Sequence, residues 1–172
     1  MKKRMYSLLF WSMLAVYLYL LVDLLFLSRG SGSNQRSINL IPFHTISQYI
    51  RVDDGIRTKL VDVNVWGNVL IFMPAGIYMM LFRHGRYVST FFLIMSLSIL
   101  AEVIQYAFAI GACDIDDVLL NSLGGLIGIG IYALLAAIYH SPERIRKVIT
   151  VTSTAVGIPV FVLFVILLAA NL

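Results

Sequence analysis

The chain has 172 residues, of which 60% are hydrophobic and 13% charged, and thirteen basic against nine acidic residues give a formal charge of +4. Soluble domains run at about half apolar and about a quarter charged, and a domain of this length has no core large enough to hide the excess. The low charge excludes disorder, and the lack of any basic block longer than three residues argues against a nucleic-acid binder. A mean hydropathy of +0.89 leaves a membrane protein.

Five stretches are long and apolar enough to cross a bilayer, which takes roughly 20 residues. The first, Met5 to Leu27, follows Lys2, Lys3 and Arg4. Its apolar core is longer than that of a signal peptide, and Leu27-Ser28-Arg29 lacks a small-x-small cleavage site, so it reads as a retained helix. A long loop from Ser28 to Asn64 comes next, opening with a flexible Ser/Gly linker. Within it, Ile38-Asn39-Leu40-Ile41-Pro42-Phe43 is too apolar to float in water. Ile46, Tyr49 and Ile50 then fall at helical spacing, which predicts a short interfacial or re-entrant helix. The plainer alternative is a loop resting on lipid headgroups.

The second span is Val65 to Phe82, where Pro74 and Gly76 predict a kink because proline removes a backbone hydrogen bond. The third is Tyr87 to Ala109. The fourth, Val118 to Tyr139, carries Gly124, Gly125, Gly128 and Gly130. Its Gly124/Gly128 pair is a GxxxG suited to close packing against another span of the chain, with dimerisation as the alternative. The fifth is Val148 to Ala170. The short basic segments, Lys2 to Arg4, Arg83 with Arg86, and Arg144 to Lys147, all fall on one side, which predicts the N-terminus inside and the C-terminus outside.

Ionisable groups within spans cost roughly 2.5–3.5 kcal/mol each on insertion scales and usually face a partner or a cavity. Glu102 and Gln105 lie one turn apart near the outer end of the third span. Asp114, Asp117 and Asn121 lead into the fourth at spacings of three and four, sharing a face if the helix has begun by Asp114; Asp116 would then point elsewhere. Asn64 and Asn68 repeat the pattern at the start of the second. Alternating topology brings all seven to similar depth at the extracytoplasmic end of three consecutive helices.

That cluster admits three readings. Carboxylates with amide carbonyls suit a hard divalent cation, whose ligands would be Glu102, Asp114 and Asp117. A polar pocket would take a lipid-linked or amphipathic ligand. In a purely structural reading, Asp114 caps a helix and Glu102 pairs with an arginine of the long loop. His44 is read as structural, His84 and His140 as solvated, Asp23 as snorkelling or joining the cluster, and Cys113 as passive. As the single cysteine, Cys113 excludes an intramolecular disulfide. No CxxC, HExxH, P-loop or GxSxG pattern is present, which removes the commonest zinc, nucleotide and serine-hydrolase readings.

Four segments occur in an order that resembles the VanZ-like family of bacterial membrane proteins. They are Asn39-Leu40-Ile41-Pro42-Phe43, Asn68 to Gly76, Glu102-Val103-Ile104-Gln105, and Asp114-Ile115-Asp116-Asp117 running on to Asn121, Gly124, Gly125 and Gly128. The position three before the first aspartate is Gly111, where many relatives carry arginine. The resemblance implies a multi-pass protein of the bacterial cytoplasmic membrane and low-level resistance to teicoplanin-type glycopeptides, without an established enzymatic activity.

The expected architecture is an all-α integral membrane bundle of about five transmembrane helices with a long extracytoplasmic loop. Its parts are a first helix (1–27), the loop with its NLIPF segment (28–64), a three-helix VanZ-like core (65–139), and an inner basic loop with the fifth helix (140–172). The expected function is engagement of a lipophilic ligand, a cell-wall precursor lipid or an acyl-bearing glycopeptide. The pocket would use Asn39, Asn64, Asn68, Glu102, Gln105, Asp114, Asp117 and Asn121, with Asn39 to Phe43 as a lid. One alternative is a membrane enzyme acting on a lipid-linked precursor, with Glu102 or Asp114 as general acid/base and a divalent cation as its one candidate cofactor. The other is a scaffold for envelope proteins using the GxxxG face.

Overall fold

Without water in the hydrocarbon region every backbone polar group must pair within its own segment, and the apolar stretches accordingly fold as helices. The computed structural model describes residues 2–28, 37–50, 52–53, 58–59 and 63–170, without the side chains of residues 2, 3, 48–50, 52, 53, 58, 59, 63 and 64. Among the described residues five helical stretches are long and apolar enough to span a membrane: Arg4–Leu27, Val65–Arg83, Tyr87–Ala107, Ile115–Tyr139 and Pro142–Ala170. The chain is an all-α protein of the membrane-spanning class. The spanning elements are α1 (Lys2–Val22), continued by a π-helical turn (Asp23–Leu27), then α3 (Val63–Arg83), α4 (Tyr87–Ala107), α5 (Ile115–Tyr139) and α6 (Pro142–Ala170).

Three of the helix ends that differ from the hydropathy reading have a local reason. The third span stops at Ala107 rather than Ala109, because Ala109 turns left-handed (φ 54°) and the Phe108 and Ile110 amides fold back onto the Ile104 and Gln105 carbonyls. The fourth begins at Ile115 rather than Val118, since the Asp114 carboxylate accepts the Asp116 amide and caps the first turn. The fifth begins at Pro142, six residues before its apolar run, with a proline at the first helical position and Glu143 in the first turn.

The long loop does contain a short helix, α2 (His44–Ile50), flanked by very short strands. β1 (Ile38–Asn39) pairs in parallel with β4 (Cys113–Asp114), and β2 (Val52–Asp53) pairs antiparallel with β3 (Thr58–Lys59).

The chain divides into two compact units. One comprises Met1–Asp23 with Leu134–Leu172, the other Leu24–Ala133. In the first, α1 and α6 run in the same direction: Tyr6 pairs with Lys147, Phe10 with Arg146, and Tyr19 with Phe164. Parallel first and fifth spans are what an alternating five-span chain requires.

In the second unit, glycine makes the closest approaches. A Cβ on Gly124 would overlap the Val69 carbonyl, and one on Gly128 the Met73 carbonyl. From the other side, a Cβ on Gly76 would overlap the Gly125 carbonyl and stand 3.0 Å from the Gly128 Cα. The GxxxG face of α5 is thus occupied by α3 of the same chain, as small residues allow in lipid. This leaves the expected scaffold role no free GxxxG surface. Pro74 is accommodated within the continuous α3.

Burial is inverted relative to a soluble protein. Along α4, Thr90, Ile94, Ser98, Ala101, Glu102 and Gln105 are buried, while Leu97, Ile99, Leu100 and Val103 are exposed. The polar stripe faces protein and the apolar one faces outward, the arrangement a lipid solvent favours.

Candidate functional site

The polar end of the Leu24–Ala133 unit is built around the entrance to α5. Hydrogen bonding from β1 brings Asn39 into register with Asp114, and the Cys113 amide donates to the Ser37 carbonyl at 3.0 Å. Asp114 then collects three donors. Its Oδ1 accepts from Asn39 Nδ2 (3.2 Å) and from the Asp116 amide (2.9 Å), and its Oδ2 accepts from Thr45 Oγ1 (2.6 Å). Asn39 Nδ2 also donates to Thr45 Oγ1 at 2.9 Å. Glu102, 2% exposed, reaches across from α4 to accept the Asp114 amide at 2.9 Å.

Asp116 is fully buried, and its two oxygens accept the amides of Phe43 (2.5 Å) and Ile46 (3.1 Å). The carboxylate thereby pins the start of α2. It also holds Phe43 in a left-handed conformation (φ 64°), which is uncommon for a bulky residue. Fixed in this way, the lid segment turns its apolar side chains outward: Leu40, Ile41 and Phe43 are all exposed.

The expected residues resolve into four hydrogen-bonded groups at one end of the helices. Asn39, Glu102 and Asp114 form the first, together with Thr45 and Asp116. Asn68 Nδ2 donates to Asp117 Oδ1 at 2.6 Å, tying α3 to α5. Asn121 Nδ2 donates to Ser98 Oγ at 2.9 Å, tying α5 to α4. Gln105 Nε2 donates to the Leu25 carbonyl at 2.9 Å in the π-helical turn. The Asn64 side chain lies outside the described residues, and the long-loop arginines, Arg51 and Arg57 among them, do also.

Two sequence expectations are corrected. Asp114 does not share a helical face with Asp117 and Asn121, because it sits in β4 ahead of the helix it caps. Asp116, expected to point away, is the most buried carboxylate of the run, because the loop folds over the start of α5 and presents two amides to it. Thr45 and Ser98 were also missed. Each is a small hydroxyl residue in an ordinary helical or loop context, and only the partner across space marks it.

The Oδ1 atom of Asn121 and the hydroxyl of Ser122 are buried without a hydrogen-bond partner among the described residues. An unpaired buried acceptor or donor costs about 1–3 kcal/mol. The Cys113 thiol is pushed above its ordinary pKa, mainly by burial and then by the Glu102 and Asp114 carboxylates, so it stays protonated near neutral pH. Among the described residues no three His, Cys, Asp or Glu side chains are grouped to hold a metal ion. His84 and His140 are exposed, and Asp23 is buried in the π-helical turn.

Five membrane-length helices, a polar end roofed by a pinned apolar segment, and glycine-mediated packing of α3 on α5 define a multi-pass membrane protein with an internal polar cluster. Comparison with known proteins places it further. Residues 11–136 match the VanZ/LLP1 family, and the chain belongs to that family. It is 35% identical over 102 residues to Protein VanZ of Enterococcus faecium, a match covering 59% of this chain. The chain spans 55% of that relative's length. No solved structure matches it.

Proposed function

We propose that this protein acts in the bacterial cytoplasmic membrane, N-terminus inside and C-terminus outside, in low-level resistance to teicoplanin-type glycopeptides. It does so by engaging a lipophilic or lipid-linked ligand, a cell-wall precursor lipid or the acyl-bearing antibiotic, at the polar end of α3 to α5. The observation that supports this reading is the lid. Carboxylates and Asn39 fasten a segment whose Leu40, Ile41 and Phe43 side chains stay exposed, above a bundle that buries Glu102, Gln105 and Asn121. An apolar roof over buried hydrogen-bonding groups suits an amphipathic ligand whose tail meets the roof and whose polar group meets the cluster.

Asp114 accepts three hydrogen bonds and Asp116 two, which suits both as anchors of the lid. The test is susceptibility to teicoplanin in cells making the wild type or the Glu102→Ala/Asp117→Ala variant. With both proteins accumulating equally in the membrane, the variant is expected to lose the resistance. Resistance that persists at the wild-type level overturns the proposal.

A further inference from the structure

We propose that a second site, at the N-terminal ends of α1 and α6, binds a phosphate-type anion. A cavity of about 450 Å3 opens there, lined by Tyr6 and Ser7 of α1 and by Glu143, Arg144, Arg146 and Lys147 of α6. Three cations face one carboxylate. Among the described residues none of the three basic side chains is engaged in an ion pair.

Two of the cations are held in place by aromatic faces. The Arg146 guanidinium lies 4.3 Å from the ring centroid of Phe10, a residue only 1% exposed, and Lys147 Nζ lies 5.2 Å from that of Tyr6. Stacking on a buried ring fixes the guanidinium plane and leaves its N–H edges available, which suits the fork geometry of phosphate oxygens. The three basic side chains are solvent-exposed, and the ring contacts restrict Arg146 and Lys147 among them. The cavity also lies at the start of two spans, the depth at which lipid headgroups sit. The shared chemistry is therefore a phosphate monoanion or dianion, supplied by a phospholipid headgroup or by free phosphate.

The test uses the full chain in detergent, with native mass spectrometry counting retained phosphatidylglycerol against phosphatidylcholine. The wild type is expected to retain phosphatidylglycerol preferentially. Arg146→Gln/Lys147→Gln should lower its affinity roughly tenfold, the loss expected when two charge-assisted hydrogen bonds are removed. Glu143→Gln should raise it, a change of opposite sign that misfolding cannot mimic. Arg86→Gln, which removes a charge elsewhere, should leave it unchanged. Inorganic phosphate in the millimolar range that displaces the lipid assigns the site to free phosphate, and failure to displace it assigns the site to the headgroup. Equal retention by wild type and the double variant, or an equal loss in Arg86→Gln, overturns the proposal.

Discussion

At Asp116 a fully buried carboxylate accepts two backbone amides of the loop, those of Phe43 and Ile46. The side chain thus fixes the apolar segment around Phe43 as a roof, and its identity matters more than its charge alone. Asp116→Asn keeps the shape but turns an NH2 toward an amide that needs an acceptor. The expected cost is about 1–3 kcal/mol, concentrated in the loop. Hydrogen exchange checks this directly: the Phe43 and Ile46 amides should exchange faster in the variant, while those of α3 and the middle of α5 keep their protection. Uniform loss of protection, or none, would contradict the anchoring role.

For the helices, packing between α3 and α5 is a matter of backbone distance. Gly128 faces the Met73 carbonyl with no room for a methyl group, whereas a Cβ on Gly130 meets nothing within 4 Å. Gly128→Ala is expected to destabilise the protein by about 1–3 kcal/mol through overpacking against backbone that cannot yield. Gly130→Ala should be neutral or stabilising by up to ~1 kcal/mol, because alanine restricts the unfolded chain and favours helix. Thermal unfolding of the two variants in the same detergent separates a packing glycine from an idle one two residues away.

On the scale of the whole chain, five membrane-length helices among the described residues, with α1 and α6 parallel, are consistent with termini on opposite faces. The N-inside orientation proposed above rests on the basic segments. A periplasmic-type alkaline phosphatase fused after Ala170 should therefore be active, and a fluorescent protein fused there should stay dark. The reverse result would invert the molecule and carry the whole polar cluster, lid included, to the cytoplasmic side, where an antibiotic or an externally displayed precursor does not reach it.

Membrane class, span number and approximate limits were legible in the residues because they depend on summed transfer free energy, to which each side chain contributes almost independently of its neighbours. The gathering of Asn68, Glu102, Gln105, Asp114, Asp117 and Asn121 at one end was legible for a similar reason, since alternating spans fix depth by counting. Pairing was not. Whether Asp114 joins the helical face of Asp117 or caps the turn before it depends on where the first helical hydrogen bond closes, and that was decided by contacts from residues some seventy positions away. Asp116, Thr45 and Ser98 became functional candidates only through partners across space, because a hydrogen bond is short-ranged and directional and leaves no periodic trace in a sequence. Tertiary structure likewise decided that the GxxxG face is spent within the chain and that Arg146 and Lys147 stand clamped on aromatic rings beside a cavity.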